Sequence, residues 1–339
     1  MAKGKPKALA ASRAAHGLTR DQMRRMRTVG LPLQDIILML VFLGSCGLDM
    51  TPCSDGAEMF AGIKMLTRVF VAAGAEFWGT FEINDEPTMQ DMCTVRGFLL
   101  AFYISHRIKQ HAMQHWATVC SSWSWVNRKT SERSWSSPLG NECLQYVVDA
   151  NLMVSRVSFL ILYNLCRDVD FIHENPLGSI IEAHPRWQWL WHLHRLGILA
   201  LQKVSTWMGM FGAPSPKPTA LISSAFWISH MKRRLDRKKK KFPKKDIVRK
   251  TISKKTGRAQ CTGGKDLKAT QGYPYKYAKA LQRLHEKNKG LDEEPRVDLD
   301  AAAALDLPAV KDSWEDARIP EVFRPFIFIF LTQTIIMNN

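Results

Sequence analysis

Apolar and polar positions along residues 57–83 follow two different periods, which indicates alternating strands and helices. Residues 57–61 form a short apolar run that ends at Gly62, and residues 77–83 form a second run, so both predict strands. Between them, residues 64–73 carry apolar side chains at helical spacing and are followed by Gly74, a typical residue at a helix end. The order strand, helix, strand favours a parallel pairing.

The same alternation continues through the middle of the chain. Helical spacing predicts helices over 88–113 and 143–165, and short apolar stretches predict strands over 115–120 and 168–173. Short links between strands and helices are typical of a mostly parallel sheet that is covered on both faces. We therefore expect one doubly wound, Rossmann-like α/β domain over residues 31–230, without internal repeats.

Charge divides the chain further. The net charge is +17, and residues 232–258 hold 15 Lys/Arg against two Asp, or +13. Residues 1–30 carry +7, whereas residues 31–231 carry −2. A near-neutral body with two basic appendages excludes a uniformly basic, histone-like chain. The appendages are either arms that face nucleic acid or arms used only for addressing.

Four segments therefore flank the predicted domain. We expect a basic arm over 1–30, a basic linker over 231–258, a small module over 259–290 and a poorly ordered tail over 291–339. The linker contains a run of lysines that fits a nuclear address, a phosphate-binding strap or a solvated linker equally well. This run comprises Lys238, Lys239, Lys240 and Lys241.

Composition narrows the class of protein. A hydrophobic fraction of 46% supplies a core and excludes wholesale disorder. The longest wholly apolar run is residues 36–43. A membrane-spanning helix needs about 20 residues, so we expect no membrane-spanning segment. Seven cysteines without a CxxC pair predict a reducing, intracellular compartment, with the nucleus favoured by the basic arms.

An aromatic segment raises the question of a metal site. Alternating tryptophans with interleaved histidines and no nearby acidic ligand favour aromatic packing, and we predict no metal there. The residues concerned are Trp187, Trp189, Trp191, His184, His192 and His194.

Two segments predict a nucleoside-binding site. Phe60, Ala61, Gly62 and Ile63 follow the first strand, where a glycine lets the backbone approach a ligand and the next helix begins. Glu82 lies 22 residues after Phe60, at the end of the next strand. In doubly wound folds an acid at this place accepts the ribose hydroxyls of a cofactor.

Two further segments place reactive residues after later strands. Cys120 precedes Ser-Ser-Trp-Ser, and Glu174 precedes Asn175-Pro176. A carboxylate at the end of a buried strand is costly unless it has a function or a partner. Cys120 is either a nucleophile or an ordinary buried cysteine, and Glu174 is either functional or a loop cap or ion-pair partner.

Basic residues follow the Cys120 segment closely. Arg128, Lys129 and Arg133 fit either a solvated surface loop or a set of phosphate contacts beside an extruded nucleotide.

Together these segments resemble the cytosine-C5 DNA methyltransferase family. Phe60-Ala61-Gly62 is similar to its first motif, D-x-F-A-G-x-G-G. Cys120, Trp123 and Ser124 match its catalytic loop, P-P-C-Q-x-F-S, and Glu174-Asn175 matches its later E-N-V. The order and approximate spacing agree over roughly residues 57–190.

The resemblance implies a mechanism and a cofactor. Cys120 would add through its thiolate to C6 of a flipped-out cytosine, and Glu174 would hold and protonate N3. C5 would take a methyl group from S-adenosylmethionine, bound by Phe60, Gly62 and Glu82. The partner would be nucleic acid, with DNA favoured over RNA.

The sequence also departs from the family. Lys64 and Met65 stand where the family has Gly-Gly, and Thr118-Val119 replaces Pro-Pro. The family's Q-x-R-x-R and C-terminal G-N-S-V motifs have no recognisable counterpart. The alternative is therefore a catalytically inactive methyltransferase-fold protein that binds nucleic acid.

A second resemblance covers most of residues 55–285. Several strings are similar to uncharacterised, methyltransferase-like proteins of unicellular marine algae, a group without a known function. These strings are Trp-Val-Asn-Arg at 125–128, Arg-Ser at 133–134, Pro-Leu-Gly-Asn at 138–141 and Gly-Lys-Asp-Leu-Lys at 264–268.

Overall fold

The chain folds around one six-stranded mixed sheet in a computed structural model, which describes residues 17–236, 242, 248–252, 259–264, 266–267, 270–291, 294–305, 314–319 and 321. The strand order is β2-β1-β3-β4-β6-β5. β1, β2, β3 and β4 run parallel, and β6 runs antiparallel to both of its neighbours. The strands are β1 (Ser54–Met59), β2 (Phe77–Phe81), β3 (Ile108–Trp116), β4 (Asp170–Pro176), β5 (Gln202–Trp207) and β6 (Pro218–Ser223).

The mixed α/β architecture with a mostly parallel sheet confirms the predicted class. The helices are α1 (Arg20–Thr28), α2 (Leu33–Ser45), α3 (Met65–Val71), α4 (Val95–His106), α5 (Arg128–Ser131), α6 (Gln145–Leu165), α7 (Pro185–Arg195), α8 (Tyr275–Asn288) and α9 (Leu299–Ala304). A separate two-stranded antiparallel sheet pairs β7 (Val248–Ile252) with β8 (Ala259–Gly263).

Close packing of β1 between its neighbours requires a glycine. A Cβ on Gly56 would lie 2.4 Å from the Phe77 ring and 2.6 Å from the Met113 carbonyl oxygen. Neither atom belongs to a flexible chain end, so only glycine fits at this point in the sheet.

Alternate strand residues separate two hydrophobic cores. Met59, Trp116 and Phe171 face the first core, which also contains α4, α6 and α7. The helix α6 is apolar and long enough to cross a membrane, but 78% of its apolar window is buried inside the fold. A helix that is apolar all round is typical of the centre of a domain, which is its place here.

The second core covers the opposite face of the sheet. Met113, Ile172 and Leu221 pack there against α3 and α8. The module predicted over 259–290 therefore supplies α8, a helix that completes the second layer.

Several predicted elements have different bounds in the structure. The strand expected over 168–173 is β4, so Glu174 lies within this strand and not after it. The helix expected over 88–113 ends at His106, and residues 108–116 form β3. The strand expected over 115–120 ends at Trp116, so Thr118 and Cys120 lie in the following loop. The bounds of β3 were misplaced because Gln114 and His115 are polar although both are fully buried in this strand. Their polarity conceals the apolar pattern by which a buried strand is predicted.

Other elements were not predicted. Strands β5 and β6 were missed, and so was the reversal of β6. Helix α1 begins with a capping box, in which Thr19 accepts from the Gln22 amide and Gln22 accepts from the Thr19 amide. The arm predicted over 1–30 therefore contains a helix, of which Met26 is buried in the first core.

A buried network of charges ties three distant parts of the chain together at the beginning of β4. Arg25 donates to Asp168 at 2.6 Å. Arg296 donates to the Asp170 carboxylate at 3.0 Å, and Ser224 donates to it at 2.7 Å. The network therefore anchors α1 and the segment before α9 to the sheet.

Replacing Arg296 tests this anchor. Arg296→Met removes the cation beside the buried Asp170 carboxylate, so we expect the free energy of unfolding to fall by about 3 kcal/mol. The exposed Arg195 gives a matched control, since Arg195→Met should change it by less than about 0.5 kcal/mol. Denaturant unfolding measures both. Equal values for the two variants would contradict the anchoring role.

Candidate functional site

The loops that follow β3 and β4 meet at the carboxyl ends of these strands. The His173 Nε2 atom lies 3.1 Å from the Thr118 hydroxyl. The Ile180 amide donates to the Trp123 carbonyl at 3.1 Å. These contacts bring the Cys120 loop beside the end of β4, which carries Glu174.

Cys120 has a partly buried thiol in this loop. Burial is the largest cause that raises its pKa, to about 11, and the Glu174 carboxylate raises the pKa further. Lys217 acts in the opposite direction and lowers it. Cys120, Glu174 and Lys217 therefore share one electrostatic environment, in which the thiol is protonated at neutral pH.

Glu174 is only 6% exposed and is held from two sides. The Tyr273 hydroxyl donates to its Oε2 atom at 3.0 Å. The Lys217 ammonium lies 3.5 Å from its Oε1 atom. A buried carboxylate needs such partners, because burial without them is costly.

A row of polar residues continues across the sheet on the same face. Glu58 on β1 stands opposite His115 on β3. The Glu58 Oε2 atom accepts from the amide and the hydroxyl of Thr67 at 2.9 and 2.8 Å. The His115 Nε2 atom lies 3.2 Å from the Tyr277 hydroxyl. Burial raises the pKa of Glu58 and, together with Glu174, raises that of Tyr277.

The histidines of this region are neutral. Burial lowers the pKa of His115 and of His173 to about 3, and His184 has a pKa near 3 for the same first cause. Within the described part of the chain, the Nδ1 atoms of His115 and His173 are buried without a hydrogen-bond partner.

The predicted cofactor residues lie together at the carboxyl ends of β1 and β2. The Gly62 amide donates to Glu82 Oε2 at 2.8 Å. Phe60 has its ring centre 6.1 Å from that of Phe81. Gly62 has φ +52, and a Cβ built there meets no described atom within 4 Å, so the space beside this turn is open. Ala61 is buried, whereas Ile63 is 48% exposed.

Lys64 does not enter this space. Its ammonium lies 2.8 Å from the Asp85 carboxylate, beyond the end of β2. Its backbone is left-handed, with φ 56, and immediately precedes α3. The Lys64 side chain is therefore paired beside the turn.

The predicted basic contacts fall into two groups. Arg128 and Lys129 are exposed in α5. Arg133 is 2% exposed, donates to Ser122, Pro138, Asn151 and Val147, and stacks on Trp123 at 3.5 Å. This geometry does not fit the predicted phosphate contact, because the guanidinium is already occupied inside the fold. Lys238, Lys239, Lys240 and Lys241 lie outside the described residues.

The aromatic segment forms α7. Trp187 is fully buried against His173, with ring centres 4.7 Å apart, which confirms packing for this residue. Among the residues that the structure describes, no group of three or more His, Cys, Asp or Glu is placed to hold a metal ion.

Sequence reasoning missed several residues of the site. Tyr277 lies in the first turn of α8, whereas Tyr273 lies in the segment before Pro274, the residue that caps this helix. Lys217 stands between two prolines, and His115 lies in a strand whose polarity concealed it. The pairing of β6 with β4 brings Lys217 to Glu174, and the return of α8 to the sheet brings Tyr273 and Tyr277.

Comparison of the sequence with known proteins does not assign the chain to a family. The chain matches no protein-family model, and a search of curated proteins finds no match.

The neutral histidines predict a pH-dependent stability. Unfolding restores a pKa near 6.5, so the unfolded state binds more protons than the folded state from about pH 6.5 down to about pH 3. We expect acidification from pH 7 to pH 5 to cost about 2 kcal/mol for each such histidine. His173→Gln should reduce the difference in unfolding free energy between these pH values. The exposed His192 provides the control. On acidification from pH 7 to pH 5, the free energy of unfolding should fall further in His192→Gln than in His173→Gln.

Proposed function

We propose that this protein is a divergent S-adenosylmethionine-dependent methyltransferase that acts on nucleic acid, most like the cytosine-C5 class. The observation that carries the proposal is the convergence of Cys120 and Glu174 at the carboxyl ends of neighbouring parallel strands. The predicted cofactor residues Gly62 and Glu82 follow the next two strands of the same sheet.

Sheet topology supports the proposal. The chain leaves β1 towards β2 on one side and later adds β3 on the other, so a topological switch point lies between β1 and β3 at their carboxyl ends. Doubly wound folds bind nucleotides at such a switch point.

The residues at the switch point fit the cofactor. Gly62 leaves open space beside its backbone, and the Phe60 ring borders the turn. Glu82 Oε2 accepts a hydrogen bond from Gly62, and its second lone pair can accept another from a ribose hydroxyl. When bound, S-adenosylmethionine supplies a methyl group on a positively charged sulfur.

In the proposed reaction, Cys120 loses its proton and forms a bond to C6 of cytosine, while Glu174 holds N3. Because the pKa of the thiol is raised to about 11, the thiolate is a small fraction at neutral pH. Transfer should therefore accelerate with pH from 7 towards 9. C5 would take the methyl group from S-adenosylmethionine, whose sulfur would keep the electron pair of the broken bond. A base would then remove the C5 proton, and the electrons of that C–H bond would restore the C5–C6 double bond and expel the Cys120 thiolate.

Nucleic-acid binding is supported by a groove beside the basic linker. His230, Arg233, Arg283 and Lys287 line a cavity of about 420 Å³ together with apolar atoms, and none of its described lining residues carries a carboxylate. The groove runs along the second half of α8, whose Tyr277 lies at the site. Lys287 lies ten residues after Tyr277 in this helix, a distance of about 15 Å along the helix axis. A nucleic acid would cover this distance with several base pairs.

A non-catalytic protein with the same fold is the second candidate. The raised pKa of Cys120 and the Lys64–Asp85 pair favour it, since neither matches an activated nucleophile in a glycine-lined site. Such a protein would bind nucleic acid without transferring a methyl group.

Cys120→Ser separates the two candidates. Wild-type protein should transfer labelled methyl groups to DNA and should form a covalent complex with a duplex containing 5-fluorocytosine, and Cys120→Ser should abolish both. Cys143→Ser, at an exposed cysteine, is the matched control and should retain both. Unchanged transfer in Cys120→Ser would exclude the assigned nucleophile. Stabilisation by S-adenosylmethionine without transfer to DNA or RNA would favour the second candidate.

Salt dependence tests the basic linker. Lysines that bind phosphates release counterions, so replacing all four residues of 238–241 by glutamine should reduce the slope of log affinity against log salt by about 0.9 for each phosphate that is no longer neutralised. Replacement of the same four by arginine retains the charge and should preserve the slope. Equal slopes for the glutamine variant and wild type would show that these lysines do not bind the backbone.

A further inference from the structure

Lys217 is held in an unusual backbone conformation beside the site. It lies between Pro216 and Pro218 at the beginning of β6 and has φ 35, in the left-handed region. A non-glycine residue adopts this conformation only where its surroundings enforce it. The Lys217 carbonyl accepts from the Met208 amide and the Thr219 hydroxyl, both at 3.1 Å, which fixes the backbone.

This backbone brings the Lys217 side chain to Glu174. The ammonium lies 3.5 Å from Glu174 Oε1 and 5.4 Å from the centre of the Tyr273 ring. The Tyr273 hydroxyl donates to the other carboxylate oxygen at 3.0 Å. Two separate parts of the chain therefore hold one oxygen each.

We propose that Lys217 and Tyr273 are positioning residues that hold the Glu174 carboxylate beside Cys120 and set the charge around its thiol. The assignment rests on the proposed function, in which Cys120 and Glu174 act together on the base. Its electrostatic consequence can nevertheless be measured without methyl transfer.

The charges of Glu174 and Lys217 dominate the electrostatics around the Cys120 thiol, because the neighbouring histidines and tyrosines are neutral. Burial lowers the pKa of His115 and His173 to about 3, so both are neutral above pH 5. Burial raises the pKa of Tyr273 and Tyr277 well above 10. The pKa of Glu58, on β1, is raised by burial as well. Glu174 and Lys217 oppose one another at the Cys120 thiol.

Alkylation of Cys120 by iodoacetamide in the full-length protein reports this balance. Peptide mass spectrometry gives the rate constant for Cys120 separately from the other cysteines. Between pH 8 and pH 9 this rate follows the thiolate fraction. Loss of the cation in Lys217→Met should raise the thiol pKa by about one unit and slow alkylation about tenfold. Glu174→Gln should accelerate it about tenfold.

Three further variants separate positioning from general disruption. Lys217→Arg keeps the charge and should alkylate close to the wild-type rate. Tyr273→Phe removes one hydroxyl and should slow alkylation less than Lys217→Met does. Lys203 is exposed on β5 and forms an ion pair with Glu182. Lys203→Met breaks this pair and should leave the alkylation rate of Cys120 unchanged.

Two results would overturn the proposal. The first is an alkylation rate of Cys120 in Lys217→Met that equals the rate in wild type or in Lys203→Met, in protein with an unchanged near-ultraviolet circular dichroism spectrum. The second, which applies even if Lys217→Met does not fold, is that Glu174→Gln does not accelerate alkylation. Charge effects on Cys120 in a wild-type protein that transfers no methyl group would instead leave the positioning intact and refute the proposed function.

Discussion

Burial of polar side chains at the centre of the sheet is the constraint on which the rest of this structure depends. Glu58, His115 and Glu174 project from β1, β3 and β4 into a protein interior where unpartnered polar groups are costly. The partners come from elsewhere in the chain: Thr67 from α3, and Tyr273 and Tyr277 from α8 and the segment before it. The second layer of the fold and the candidate site are therefore built by the same contacts.

The position of α8 links stability to chemistry. Its apolar residues fill the second core, while its Tyr277 contacts the His115 imidazole and Tyr273, just before the helix, binds the Glu174 carboxylate. Arg283 and Lys287 of the same helix line the basic groove, which adjoins the linker. One helix thus connects the proposed reacting residues with the proposed nucleic-acid contacts.

Electrostatics distinguishes this site from an activated thiol. The Cys120 thiol is partly buried beside a carboxylate, and both conditions favour the protonated form. Lys217 offsets part of this effect from a backbone position that two prolines restrict. A substrate that displaces water or neutralises Glu174 would change the balance further, so substrate binding and activation of the thiol are coupled in the proposed reaction.

The sequence by itself determined the α/β class, the first strand–helix–strand unit and the places of Gly62 and Glu82 after the first two strands, whereas Glu174, expected after a strand, lies within β4. These features depend on local periodicity and on turn residues, which act within a few positions along the chain. Only the tertiary structure decided that Arg133 is buried, that β3 carries His115 and that Lys217 and Tyr273 reach Glu174. The contacts of Lys217 and Tyr273 with Glu174 join residues about 40 and 100 positions apart, and their polarity runs against the apolar pattern by which strands and cores are predicted. Burial of a polar group becomes favourable only when its distant partner is in place.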